Sequence, residues 1–127
     1  MFKRINFQSL PVTDQQRALE FYRDKMGMAV QTDAPYEGGW RWIFMQIPGA
    51  ETMLHLTHAN DIEITDIPAL CLISDDVDAE AQRLQAAGVT LVHPVQDAPW
   101  QEAVRWTMIR DSENNLILIQ SSAMEGN

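Results

Sequence analysis

Few side chains in this sequence can do chemistry, and they are scattered. His55 stands alone in the apolar stretch MLHL. An imidazole there can hydrogen-bond a ligand or act as an acid or base near neutral pH. It can equally be a satisfied core or pocket histidine. His58 and His93 lie beside loops and are expected to face solvent. Cys71, the one cysteine, sits in ALCLI and reads as a small buried hydrophobe. Four tryptophans, Trp40, Trp42, Trp100 and Trp106, offer flat faces that stack on rings and attract cations. Large aromatics also build cores, so each could instead be structural. Asp75, Asp76 and Asp78 gather where a helix is expected to begin, and capping is enough to explain them.

Several chemistries are excluded. The sequence has no glycine-rich phosphate loop between a strand and a helix, no paired CxxC, no HExxH and no GxSxG. Nine basic against eighteen acidic residues give a formal charge of −9, which leaves no basic stripe for a nucleic acid backbone. The segment MFKRINF lacks a signal-peptide core, and no apolar run could span a bilayer. A cytoplasmic protein with no membrane partner is therefore expected. A lone cysteine suits that reducing compartment. At 127 residues, 46% hydrophobic and 21% charged, one domain with a real core is expected.

The elements that must position these side chains follow from periodicity. Ile5 to Val12 is expected as a strand, with Pro11 near its end. Thr13 or Asp14 can cap a helix from about Gln15 to Met26, whose Ala18, Phe21, Tyr22 and Lys25 share a face and whose Gly27 ends it. Strands are expected at Met28–Thr32, Trp40–Ile47 and Thr52–Thr57, with Asp33–Gly39 a loop. Residues 59–68 look like a linker. The pattern then restarts: a strand at Ala69–Ile73, a cap at Ser74 and Asp75, and a helix with Val77, Ala81 and Leu84 on one face, ending at Gly88. Strands at Val89–His93, Ala103–Ile109 and Leu116–Gln120 complete it, with Gln96–Gln101 a loop and residues 123–127 a frayed tail.

The two halves repeat. Asp14 to Gly27 and Asp75 to Gly88 are each thirteen positions, Pro35-Tyr36 matches Pro99-Trp100, and Arg41-Trp42 matches Arg105-Trp106. Each half is then a βαβββ unit unable to cover its own sheet. A short apolar strand, an Asp, a helix ending FYRDKMG and a new strand resemble the vicinal-oxygen-chelate superfamily, which includes glyoxalase I, bleomycin-resistance proteins and extradiol dioxygenases. The resemblance covers nearly the whole chain. It implies an α+β fold in which two βαβββ modules form a cupped mixed β-sheet with helices on the outside. It also implies a ligand site in the hollow, and a homodimer.

The superfamily's enzymes hold a divalent metal with four side chains, from the first and last strand of each module. Carried onto this sequence one at a time, those positions fall at Phe7, His55, Ala69 and Leu118. Only His55 offers a donor, and one donor of four does not outcompete water. Gln8 would point to the opposite face from Phe7. The leading expectation is therefore a metal-free, cofactor-free binder of a small, partly aromatic or cationic molecule. Its ligand-binding residues would be Phe7, Trp40, Trp42, His55, Ala69, Trp100, Trp106 and Leu118, with His55 the sole catalytic candidate if there is turnover. The alternatives are a metal-dependent lyase, isomerase or dioxygenase of the same superfamily, and a protein-interaction module.

Overall fold

In a computed structural model, residues 1–122 are described. The chain divides into two compact units, Met1–Glu63 and Ile64–Asn127, so the division lies inside the stretch expected as a linker. Each unit carries one four-stranded mixed sheet, and the fold class is α+β.

The first unit runs β1 (Phe7–Val12), α1 (Gln15–Glu20), β2 (Ala29–Pro35), β3 (Arg41–Gln46) and β4 (Met53–His58). Its sheet order is β1-β4-β3-β2, with β1 parallel to β4 and the other pairs antiparallel. Pro11 is tolerated because β1 is an edge strand, where a missing N–H breaks no ladder. Leu10, Val12, Ile43, Met45 and Leu56 are fully buried and alternate with residues on the other face, so one side of the sheet packs on Ala18 and Tyr22.

Three boundaries in this unit differ most from expectation. The helix does not run unbroken from Gln15 to Met26: the α-helix stops at Glu20, and Phe21–Lys25 form a π-helical turn. There Met26 N–H donates to Phe21 O at 3.1 Å, five residues back. The wider turn buries both Phe21 and Tyr22, their rings 5.2 Å apart. β2 also runs on to Pro35, because pairing with β3 continues through Ala34 opposite Trp42. Only Glu37–Gly39 then coils, as a 3-10 turn. The first strand starts at Phe7 rather than Ile5, which is exposed.

The second unit runs β5 (Leu70–Ile73), α2 (Val77–Ala86), β6 (Gln96–Asp97), β7 (Arg105–Arg110) and β8 (Leu116–Gln120), in sheet order β5-β8-β7-β6. Val77, Ala81 and Leu84 of α2 pack on a buried layer that includes Thr107, Ile109, Ile117 and Ile119. The cap is Asp76, not Ser74 or Asp75. Its carboxylate accepts from Ala79 N–H at 3.0 Å, while Ser74 Oγ accepts from Asp76 N–H. The helices therefore span thirteen positions from Asp14 to Gly27 but twelve from Asp76 to Gly88. The π-helical turn absorbs the extra residue, and both glycines take the left-handed backbone, φ +78° and +90°.

The strand expected at Val89–His93 does not form. Leu91 makes one isolated bridge to Ile109 and Val92 N–H donates to Met108 O, but the next ladder bond in this register would need an N–H from residue 94, a proline; Thr107 Oγ1 donates to His93 O. Pairing resumes in the expected loop, at Gln96 and Asp97. The next strand opens at Arg105, two residues after Ala103, which itself sits at φ +67°. Cys71 is exposed rather than buried, since it alternates onto the face of β5 away from α2. Among the described residues no helix is long and apolar enough to cross a membrane.

Candidate functional site

The open face of the first sheet carries the chain's main concentration of exposed rings. Register places Phe44 opposite His55, and His55 opposite Ser9, so Phe7, two residues before Ser9, lies on the same face. Trp42 joins them as the next residue of that parity in β3. The His55 imidazole stacks on Phe44, centroids 4.9 Å apart and planes at 24°, with Phe7 at 5.4 Å and Trp42 at 4.5 Å. Phe7 and Trp42 meet Phe44 edge-on, and Tyr36 meets Trp42 edge-on at 5.7 Å. His55 is only 7% exposed, whereas Phe7 and Trp42 keep 37% and 41%. A cleft of about 320 Å³, lined by Ala34, Pro35, Tyr36 and Trp42, opens beside the cluster.

Burial pushes the His55 pKa down, because desolvation disfavours the imidazolium. The ring is neutral at pH 7. Thr57 Oγ1 lies 2.9 Å from Nδ1. Trp40 does not join the cluster. It precedes β3, and its ring stacks on His58 at 4.1 Å with planes at 31°. His58 is therefore covered rather than solvent-facing, and its Nδ1 is buried.

The second sheet offers a matching face of different chemistry. Cys71 and Met108 lie opposite Leu118, Trp106 lies opposite Gln120, and Ala69 precedes β5 on the parity of Cys71. Trp106 contacts Trp100 at 4.9 Å and His93 at 4.2 Å. His93, expected in solvent, has its Nε2 buried and its Nδ1 2.7 Å from Pro94 O. Partial desolvation by its neighbours on that face raises the Cys71 pKa, so the sulfur stays a thiol. A groove of about 650 Å³ between α2 and residues 88–95 lies elsewhere in this unit. Its acid, Asp78, is already paired with Arg105 at 2.7 Å.

Ion pairs fix the strand ends that carry two of these tryptophans. Arg41 reaches Asp33 at 2.6 Å and Gln16 at 2.7 Å; Arg105 reaches Asp78 at 2.7 Å and Asp97 at 3.2 Å. Each arginine joins a helix to the neighbouring strand, and the hydrogen bonds from Arg41 and Arg105 hold Asp33 and Asp78 below the ordinary carboxylate range. The structure thus groups Phe7, Trp42 and His55 in one unit, and Trp100 and Trp106 in the other, whose sheet face also carries Leu118 and Ala69. Phe44, Tyr36 and Thr57 were not anticipated. Phe44 was legible, being two residues beyond Trp42 in one strand.

Paired βαβββ units with the helix on one sheet face and an open, ring-lined opposite face define a glyoxalase-type fold. The profile of the Glyoxalase/Bleomycin resistance protein/Dioxygenase superfamily matches residues 4–119, and the chain belongs to that superfamily. It is similar to the uncharacterized protein YurT of Bacillus subtilis (strain 168), 33% identical over 98 residues, covering 68% of this chain and 76% of YurT. Among solved structures it is similar to TnmS3, an antibiotic binding protein from Streptomyces sp. CB03234, at 32% identity and a TM-score of 0.80, covering 94% of this chain and 96% of that one. A glyoxalase/bleomycin resistance protein from the same Streptomyces is 33% identical, with a TM-score of 0.73 over 91% of this chain and 98% of that one.

Proposed function

We propose that this protein binds a small, planar, partly aromatic or cationic molecule, of the size and character of an antibiotic, and does so without a metal or other cofactor. The observation that carries the reading is the ring cluster around His55: two rings, Phe7 and Trp42, are left more than a third exposed beside buried Phe44 and His55. Exposed aromatic faces of this kind stack on flat ligands and attract cations. The similarity to an antibiotic binding protein at 32% identity over nearly the full length of both chains supports the ligand class.

The donor set does not fit the metal of the superfamily's enzymes. Strand register puts Phe7, His55, Ala69 and Leu118 at equivalent places in the two sheets. A phenyl, a methyl and an isobutyl group occupy three of them. Among the described residues, no three His, Cys, Asp or Glu side chains gather where they could hold a metal ion. That favours binding over metal-dependent isomerase, lyase or dioxygenase chemistry. We extend the reading to a homodimer, because the open face of each sheet leaves large apolar side chains, among them Trp42, Ile73 and Trp100, uncovered by its own helix.

The test is titration of tryptophan emission with flat molecules of each charge: ethidium, anthracene-2-sulfonate and 9,10-anthraquinone-2-sulfonate. Saturable quenching by at least one of them, shifted to about tenfold higher ligand concentration in Trp42→Leu, is the expected result. Emission unchanged by all three would overturn the reading.

A further inference from the structure

His55 has one ring nitrogen committed and one free. Thr57 Oγ1 lies 2.9 Å from Nδ1, while the other acceptor near that hydroxyl, His55 O, is 3.5 Å away. A hydroxyl hydrogen goes to the nearer, better acceptor. With the hydroxyl as donor Nδ1 is the acceptor, and in a neutral imidazole the proton then sits on Nε2. Nε2 has no hydrogen-bond partner among the described residues, and it is not among the nitrogens sealed from solvent, as those of His58 and His93 are. The imidazole as a whole lies among the rings of Phe7, Trp42 and Phe44.

We propose that Thr57 fixes His55 as a hydrogen-bond donor toward the open face of the first sheet. The ligand selected there is then a planar ring system bearing an acceptor, a carbonyl oxygen or an unprotonated ring nitrogen. The inference rests on the reading that this face binds a flat molecule, and it narrows the class. A flat hydrocarbon would leave the N–H unpaired beneath it, and a site built to donate discriminates against a ligand that cannot accept. Thr57 is here a positioning residue, acting through His55.

Two measurements decide it. Nitrogen-15 spectra of the ligand-free protein are expected to show His55 protonated at Nε2 and bare at Nδ1. In Thr57→Val, the signals are expected to move toward a mixture of tautomers. The reverse assignment in the wild type, or no movement in Thr57→Val, overturns the proposal without any ligand. In the second measurement, 9,10-anthraquinone-2-sulfonate is expected to bind about tenfold more tightly than anthracene-2-sulfonate, which has the same outline and charge but no carbonyl. His55→Phe is expected to bring that ratio to about one while anthracene-2-sulfonate still binds. A wild-type ratio near one overturns the donor role but leaves flat-molecule binding standing. Binding of neither compound, nor of ethidium, overturns both. If His55→Phe does not fold, the wild-type ratio and the Thr57→Val spectra still decide the matter.

Discussion

The imidazole of His55 lies nearly parallel to the ring of Phe44, 4.9 Å from it, at the centre of an otherwise apolar sheet face. Burial there disfavours the imidazolium, and much of what can be tested about the protein follows from it.

Stability should depend on His55 protonation. Burial lowers its pKa in the folded state below the ordinary 6.5, so as pH falls the unfolded chain takes up the proton first. The neutral ring's contribution is fully present above that ordinary value. It is lost progressively as pH drops toward the folded value, below which the loss stops growing. The urea midpoint should therefore fall between pH 7.5 and 5.5, and the fall should be smaller in His55→Phe. Identical pH profiles for the two proteins would count against a desolvated histidine.

Gln15 ties the first helix to two strands. Its side-chain amide donates to Arg41 O at 2.7 Å and Leu56 O at 3.0 Å and accepts from Arg41 N–H at 2.8 Å. Gln15→Leu leaves these buried backbone groups without their partner, at about 2–4 kcal/mol, since each unsatisfied group costs roughly 1–3 kcal/mol and some regain water. Denaturant unfolding measures it. The same substitution at exposed Gln16 should change stability by less than about 0.5 kcal/mol.

The two neighbouring tryptophans should behave differently. Trp42→Leu is expected to weaken binding of a flat ligand by about tenfold, the worth of one aromatic stacking contact. Trp40→Leu should leave affinity within about twofold, because that ring is engaged with His58 rather than with the cluster. Equal losses from both would place the ligand elsewhere.

Metal should not bind with defined stoichiometry. Calorimetric titration with nickel, zinc and manganese is expected to give no saturable one-to-one heat, since Phe7, Ala69 and Leu118 offer no donor atoms. A tight site abolished by His55→Ala would reverse the reading and call for assays as a lyase, isomerase or dioxygenase.

Much of the fold was legible because it rests on local rules. Asp14 caps a helix and Gly27 ends it wherever those residues occur in that order, and β1, β3, β4 and β8 are written in alternating or continuous apolar runs. The missing strand at Val89–His93 was not legible. Its apolar content suits a strand, and only its placement beside β7, where it makes a single bridge from Leu91 to Ile109 and Pro94 has no N–H to extend it, shows otherwise. The capping residue of α2 was off by one for a related reason. Asp75 and Asp76 are chemically equal, and only the turn made by Ser74 Oγ decides between them.

The site divides in the same way. The sequence by itself determined the repeat, the residue types at Phe7, Ala69 and Leu118, none of which carries a metal-donor side chain, and the two-residue alternation that separates the faces of each strand. Only the tertiary structure decided that Trp42 and Trp40, two residues apart, end on different partners. It also decided that His58 and His93 are covered, that Cys71 is exposed, and that His55 is neutral. Those properties depend on which rings and backbone groups distant segments bring within about 5 Å, and on how much water they exclude; a linear pattern of residue types encodes neither.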